Sequence, residues 1–343
     1  MTEPKYAELA HKLRADIHNG VYLEGQRLPS ENELVSLTGF SRQTVRQAME
    51  VLEREGLTNR VRGSGTYVKS ARQQQERTYN IAVVTTYIGE YIFPAILHGI
   101  DHVLAKNGYT SLLAATRNRV DNERRVLLEL LEKPIDGMLV EGTKTALPNP
   151  NIDLYERFAR KGIPIVYFNS FYPDLKNPIY VVADDRAGGR MACQMLLEKG
   201  HRHIAGIFKS DDIQGHRRYA GYMEALLQAG LSLEDDHVLW YVTENRDSLI
   251  CDHCSEVIHS CTAAVCYNDE VALRVIRALG SSVNQVELVS FDHSTYAELS
   301  AVPFFSLSNP KEKLGRLAAE KLLRILNGAT ESPEVLPWST TEG

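Results

Sequence analysis

Long apolar runs are missing from this 343-residue chain, and with them any segment suited to crossing a bilayer as a helix. Its first residues, MTEPKYAELAHKL, contain no apolar stretch and no cleavage signature, so no secretory leader is expected and a cytoplasmic location is. Cysteine is scarce: five residues, an odd number, suit a reducing compartment better than a disulfide framework. Glycine-rich phosphate loops, the G-x-S-x-G elbow and the H-E-x-x-H helix are absent, which removes the usual templates for nucleotide hydrolysis, serine hydrolysis and zinc proteolysis. No cofactor is called for. Nor is there a large excess of positive charge, since 38 Lys and Arg face 44 Asp and Glu. Taken whole, that balance argues against nucleic acid. Taken by position it does not: residues 1–72 hold 11 basic against 9 acidic side chains, and the rest hold 27 against 35. The slight basic excess sits at the N-terminal end.

What that end contains is informative. Residues 29–68 read PSENELVSLTGFSRQTVRQAMEVLEREGLTNRVRGSGTYV. Ser30 with Glu33 forms a capping box, which starts a short helix at about Glu31 that Gly39 ends. Ser41 caps a second helix, in which Val45, Ala48, Met49 and Leu52 share one face until Gly56 stops it. That face packs inward, leaving Arg42, Gln43, Thr44 and Arg46 on the other side. Guanidinium, amide and hydroxyl groups are the set that reads base edges and holds phosphates. Residues 57–68 then form a small hairpin around Gly63-Ser64-Gly65, with Arg60 and Arg62 leading in. The two glycines let backbone come close to a groove or a phosphate. An amphipathic helix over Tyr6–Asn19 precedes all this and packs Leu9, Leu13 and Ile17 against it. Lys5 and Tyr6, at its start, are secondary candidates for backbone phosphates. A single exposed arginine is ordinarily just a solvated one. The ordered set instead predicts a winged helix-turn-helix, with Ser41, Arg42, Gln43, Thr44, Arg46, Arg60, Gly63 and Gly65 at double-stranded operator DNA. LPSENEL, SRQTVRQAM, LEREGL and RGSGTYV resemble the GntR family of bacterial repressors across residues 4–69, with Asn32 where many members carry arginine.

Residues 70–78 read as a polar linker. From Tyr79 the texture changes to short apolar strands alternating with helical patterns: strand 81–84, helix 93–106, strand 110–114, helix 122–132, strand 135–140, and so on to a helix at 311–326. Strands without polar alternation are buried on both faces, so the alternation predicts an α/β body of doubly wound parallel sheets. The strands are too numerous for one sheet, which predicts two lobes. Ligands bind such sheets beyond the strands' carboxyl ends. The residues there are polar: Thr85, Thr86, Glu90, Tyr91, Glu141, Asn169, Ser170, Asp184, Lys209, Asn268, Asp269, Asp292 and His293. Taken singly each is more often a helix cap. Together they suit a neutral polyol, whose hydroxyls need donors and acceptors alike.

VVADDRAGGRMACQMLLEKGHRHIAGI, RRYAGYMEAL, AVCYNDEVAL and LVSFDHS resemble the LacI/GalR regulators and related periplasmic sugar-binding proteins over about residues 79–328. The resemblance implies a clamshell that binds a small sugar and a homodimer. It also implies effector contacts from Glu90, Phe93, Asn169, Arg218, Asn268, Asp292 and Ser308, although TTYIGEYIF replaces the usual pattern after the first strand. The domains expected are a winged helix over 1–69, the linker, and a body over 79–343. Its first lobe is expected over about 79–200 with 304–328, and its second over about 201–303. A GntR-type head on such a body resembles the arabinose-responsive repressors, which implies L-arabinose as inducer and release of DNA. Two other readings stay open at this level: a sugar-processing enzyme using paired carboxylates such as Glu90 and Asp292, and a DNA-binding protein whose body only dimerises. Cys251, His253, Cys254, His259 and Cys261 raise zinc, but C-x-x-C is also one helical turn, and buried cysteines in an amphipathic helix are the simpler expectation.

Overall fold

The computed structural model describes residues 4–18, 20–23, 25–61, 63–69, 77–89 and 91–340. Within these, the chain divides into a small N-terminal unit and a larger one. The small unit contains α1 (Lys5–His18), α2 (Glu31–Thr38), α3 (Arg42–Arg54), β1 (Thr58–Val61) and β2 (Gly65–Val68). The capping box at α2 is complete: the Glu33 amide donates to Ser30 Oγ at 3.3 Å, and the Ser30 amide donates to Glu33 Oε2 at 2.6 Å. Gly39 closes α2 with φ +71°, and Ser41 Oγ accepts the Thr44 amide at 3.2 Å to start α3. Leu9, Leu13, Leu34, Val45, Ala48 and Leu52 form the core, and Arg14 of α1 clamps Glu55 after α3 with both branches of its guanidinium. β1 and β2 pair antiparallel, from Thr58 opposite Val68 to Val61 opposite Gly65. The segment before α2 joins them as a third edge, the Leu28 amide donating to the Thr66 carbonyl at 2.8 Å.

The larger unit continues with β3 (Asn80–Thr85), α4 (Phe93–Lys106), β4 (Thr110–Ala115), α5 (Val120–Leu131), β5 (Gly137–Val140), α6 (Ile152–Arg160), β6 (Ile165–Phe168) and β7 (Ile179–Ala183). It goes on through α7 (Asp185–Glu198), β8 (Ile204–Lys209), α8 (Ile213–Gln228), β9 (Val238–Tyr241), α9 (Arg246–Ile258), β10 (Ala263–Cys266), α10 (Asp269–Leu279) and β11 (Glu287–Phe291). α11 (Thr295–Glu298), β12 (Phe305–Leu307), α12 (Lys311–Leu326) and β13 (Glu334–Leu336) complete it. Two sheets result, ordered β13-β7-β6-β5-β3-β4 and β12-β11-β10-β8-β9, parallel throughout. Each sheet is the centre of one lobe, as apolar strands buried on both faces require. Among the described residues no helix is long and apolar enough to cross a membrane.

The lobe boundary differs from the one read in the sequence. The first lobe ends at β7, near residue 183 and not 200, because α7 packs on the second sheet: Ala192, Cys193 and Leu196 share a core with Ile204, Phe208 and Tyr222. At the other end β12 pairs with β11, so residues 305–307 belong to the second lobe, while α12 and β13 return to the first. α7 and α8 approach closely because Gly189 faces the Arg218 carbonyl and Gly221 faces the Arg186 carbonyl, each with no room for a Cβ. Gly189→Val should therefore cost about 1–3 kcal/mol through forced overpacking, visible as a lowered midpoint in thermal unfolding. In α9, Cys254 is buried in the lobe core and Cys251 is exposed.

Candidate nucleic-acid interface and polar cleft

On the small unit, α3 buries Val45, Ala48, Met49 and Leu52 and leaves Ser41, Arg42, Gln43 and Arg46 exposed, with Thr44 half-buried. Helical periodicity alone forces this split. Arg46 makes no hydrogen bond or ion pair among the described residues, so its guanidinium is free for a ligand. Arg42 is not: it donates to Asn32 Oδ1 on α2. Asn32 thus supplies a tether where an arginine would have supplied charge. Arg60 lies 3.2 Å from Glu31. At the hairpin tip Gly63 and Gly65 have φ +81° and +137°, and a Cβ on Gly65 would meet Arg27 Nε at 2.6 Å. Both the backbone angle and the packing therefore call for glycine there. Lys5 and Tyr6 are exposed at the start of α1. Arg62 lies outside the described residues.

In the large unit the carboxyl ends of both sheets face a cleft lined by Thr86, Tyr87, Tyr91, Phe93, Asn118 and Glu141 from one lobe. Asn169 and Ser170 continue that wall, and Lys209, Asp212, Gln214, Arg218, Arg246, Tyr267, Asn268, Glu270 and Asp292 form the other. Arg218 is its centre. It is buried, donates through Nε to Asp185 Oδ1 at 2.8 Å and through a terminal nitrogen to the Tyr267 carbonyl, and reaches within 4.0 Å of Asp292 Oδ1. The rings of Tyr267, Phe291 and Trp338 surround the guanidinium carbon at 4.8, 4.4 and 4.9 Å. Burial alone would favour losing the proton, but Asp185 and Asp292 outweigh it and hold Arg218 charged. Burial lifts Asp185 above the ordinary carboxylate range even against the pull of Arg218.

The other charged groups also have partners: neutral donors for Glu141, carboxylates for the two remaining cations. Glu141 accepts from Thr85 Oγ1 at 2.9 Å, from the Thr86 amide and hydroxyl at 2.7 Å each, and from Asn169 Nδ2 at 2.6 Å. Burial raises its pKa; those donors oppose the rise. Lys209 meets Asp212 at 2.5 Å, and Arg246 meets Glu270 at 2.9 Å. An incoming anion would find no cation without a partner among these, whereas a neutral ligand can share them all.

The structure brings Phe93, Asn169, Arg218, Asn268 and Asp292 to this one cleft. Phe93 packs on Tyr87, with ring centroids 5.7 Å apart. Asn169 holds φ +61°, and its carbonyl accepts Gln214 Nε2 at 3.1 Å across the lobes. Asn268 spends its Oδ1 capping α10, accepting the Val271 amide at 3.0 Å, and still lines the wall. Glu90 lies outside the described residues. Ser308 does not line the cleft. It exchanges two backbone hydrogen bonds of 2.9 Å with Ser339, an isolated antiparallel bridge just beyond β12 and β13. Asp184 caps α7, so helix-end chemistry accounts for it, whereas Asp269 is buried and accepts from Ser290, Ser294 and Ser306 inside the second lobe. Gln214, Arg246 and Glu270 escaped the sequence reading. The first lies in the opening turn of α8, and the others become informative only as a pair.

Comparison with known proteins fits this geometry. Residues 5–68 match the profile described as bacterial regulatory proteins, gntR family, and residues 193–342 that of a periplasmic binding protein-like domain. The chain is 35% identical to an arabinose metabolism transcriptional repressor of Halalkalibacterium halodurans, over 94% of this chain and 89% of the relative. It is 37% identical to one from Geobacillus stearothermophilus, over 95% and 92%. Among solved structures, a transcriptional regulator CelR-cellobiose complex superposes with TM-score 0.69 at 24% identity, covering 92% of this chain and 98% of that one, which establishes the likeness of fold.

Proposed function

Given that this chain belongs to the family of arabinose metabolism transcriptional repressors, we propose that it is a repressor released from its operator by L-arabinose. It acts as a regulator and not as an enzyme. The winged helix of residues 1–69 reads a pseudo-palindromic operator as a homodimer, with the recognition helices of two protomers entering major grooves ~34–36 Å apart. Arg42, Gln43, Thr44 and Arg46 contact bases and phosphates; Gly63 and Gly65 bring the wing to the backbone. The cleft of residues 79–343 takes the sugar, with Arg218, Asp292, Asn169 and Asn268 holding its hydroxyls and Phe93 against its C–H face.

The observation that carries the sugar reading is the internal pairing of the cleft's charges. Arg218 with Asp185, Lys209 with Asp212, and Arg246 with Glu270 leave none of these cations without a partner, and Glu141 and Asp292 add acceptors for hydroxyl groups. Sugar drives release by preferring the closed lobes, and such coupling is typically worth ~1–3 kcal/mol. A thermal-shift panel of pentoses and hexoses tests this. L-arabinose should raise the unfolding midpoint by several degrees, since binding at 100 times Kd stabilises by ~2.7 kcal/mol. A sugar phosphate outperforming every neutral sugar would overturn the reading, and so would a flat panel.

A further inference from the structure

Tyr91 reaches across the cleft further than any role so far given to it explains. It stands on the loop after β3, in the first lobe, with a left-handed backbone at φ +59°. Its hydroxyl donates to Asp292 Oδ2 at 2.6 Å, and accepts the Asp269 amide at the start of α10 at 3.2 Å. The Phe291 carbonyl lies 3.2 Å from the same oxygen. Its ring stacks on Tyr296 at 5.7 Å and 22°. All four partners belong to the second lobe. The loop it grips is itself strained: Asp292 and His293 have φ +95° and +39°, which side-chain-bearing residues hold only when their surroundings insist. Contacts from both lobes hold this loop: within the second lobe the Asp292 amide donates to the Leu307 carbonyl at 2.7 Å and the His293 amide to Ser306 Oγ at 2.8 Å, and the first lobe adds more. Lys311, heading α12, donates to the Asp292 carbonyl and lies 3.3 Å from that of His293, while Tyr91 holds the Asp292 carboxylate.

We infer that Tyr91 is a latch of the cleft: its hydroxyl ties the loop bearing Asp292 to the first lobe while the lobes are shut. Tyr91 is thus a positioning residue. It acts through Asp292, the side chain beside Arg218, and makes sugar affinity depend on closure. Opening withdraws the phenol from the Asp292 carboxylate and frees the Asp269 amide to solvent. The latch rests on the proposed sugar site for its purpose, but its contacts run between residues of this chain, so the two can fail separately.

The test is hydrogen exchange on the sugar-free full-length protein, wild type against Tyr91→Phe, which keeps the ring and its stacking on Tyr296. Amides in peptides spanning 267–272 and 291–296 should exchange about fivefold faster in the variant, the factor implied by losing one net hydrogen bond. Peptides in α8 should be unchanged, and the apparent affinity for L-arabinose should fall by a similar factor. Equal exchange in both proteins without sugar would overturn the latch, as would faster exchange spread over α8 as well. If the wild type binds no sugar, the effector reading fails, while the sugar-free comparison still decides whether Tyr91 holds the lobes.

Discussion

Arg218→Ala should abolish the response to sugar while leaving operator binding intact. Arg218 is buried, and the chemistry around it explains the size of the effect. It answers Asp185 at 2.8 Å and stands 4.0 Å from Asp292, inside a box of Tyr267, Phe291 and Trp338. A sugar hydroxyl held by this guanidinium gains a charge-assisted bond of ~1.5–3 kcal/mol, so losing one should weaken sugar about 10- to 150-fold, and losing two by more. The deletion also strands Asp185, and breaking a buried pair by removing one partner costs ~3–5 kcal/mol, so the thermal midpoint should fall as well. Arg218→Lys separates the two effects. It keeps a positive charge beside Asp185 but cannot span Asp185, the Tyr267 carbonyl and a ligand with one planar fork. Calorimetric titration with L-arabinose should show weak or no binding for both variants. Fluorescence anisotropy should show both still on labelled operator at sugar concentrations that strip the wild type. Release of Arg218→Lys at the wild-type sugar concentration would contradict this role.

Arg46→Ala should do the converse. Its side chain is exposed on α3, with no partner among the described residues, one turn after the Ser41 cap. A contact to a base edge is worth ~1–3 kcal/mol, about 5- to 150-fold in operator affinity. If the contact is to phosphate, the loss should be uniform across sequences, with the salt slope reduced by about 1. If it is to a base, discrimination at one operator position should relax. The thermal shift with L-arabinose should equal that of the wild type. Arg42→Ala should weaken operator binding less cleanly, because Arg42 is already bonded to Asn32 and its removal also loosens the α2–α3 contact. Operator affinity unchanged in Arg46→Ala would show that another face reads DNA.

How far the chain could be read before its structure depended on the range of the forces involved. Local rules worked well. The Ser30–Glu33 box, the glycine stop at residue 39 and the helix over 93–106 follow from neighbours in sequence, and α4 is Phe93–Lys106. Buried strands were legible because parallel sheets need continuous apolar runs. The hinge was not. β12 and β13 span 305–307 and 334–336, too few residues to show a period, and pairing with distant strands is what makes them strands. Ser308, read as a cleft residue, consequently turned out to bridge Ser339. α7 was assigned to the wrong lobe because its apolar face does not say which sheet it covers; the mutual approach of Gly189 and Gly221 decides that. Charge pairing along the second-lobe wall was equally hidden, since Arg246 and Glu270 follow different strands. Tyr91 was legible as a polar residue after the first strand, yet nothing in the sequence showed that it crosses to the other lobe.

The central claim is that one part of this chain holds DNA and another, on binding sugar, makes it let go. The most direct measurement is anisotropy of a labelled arabinose-operon operator bound by the full-length protein, titrated with L-arabinose at fixed salt. The account predicts a fall in operator affinity of about 5- to 150-fold at saturation, at sugar concentrations matching those that raise the thermal midpoint. An operator affinity that stays constant, or tightens, while the same sugar demonstrably fills the cleft would contradict it.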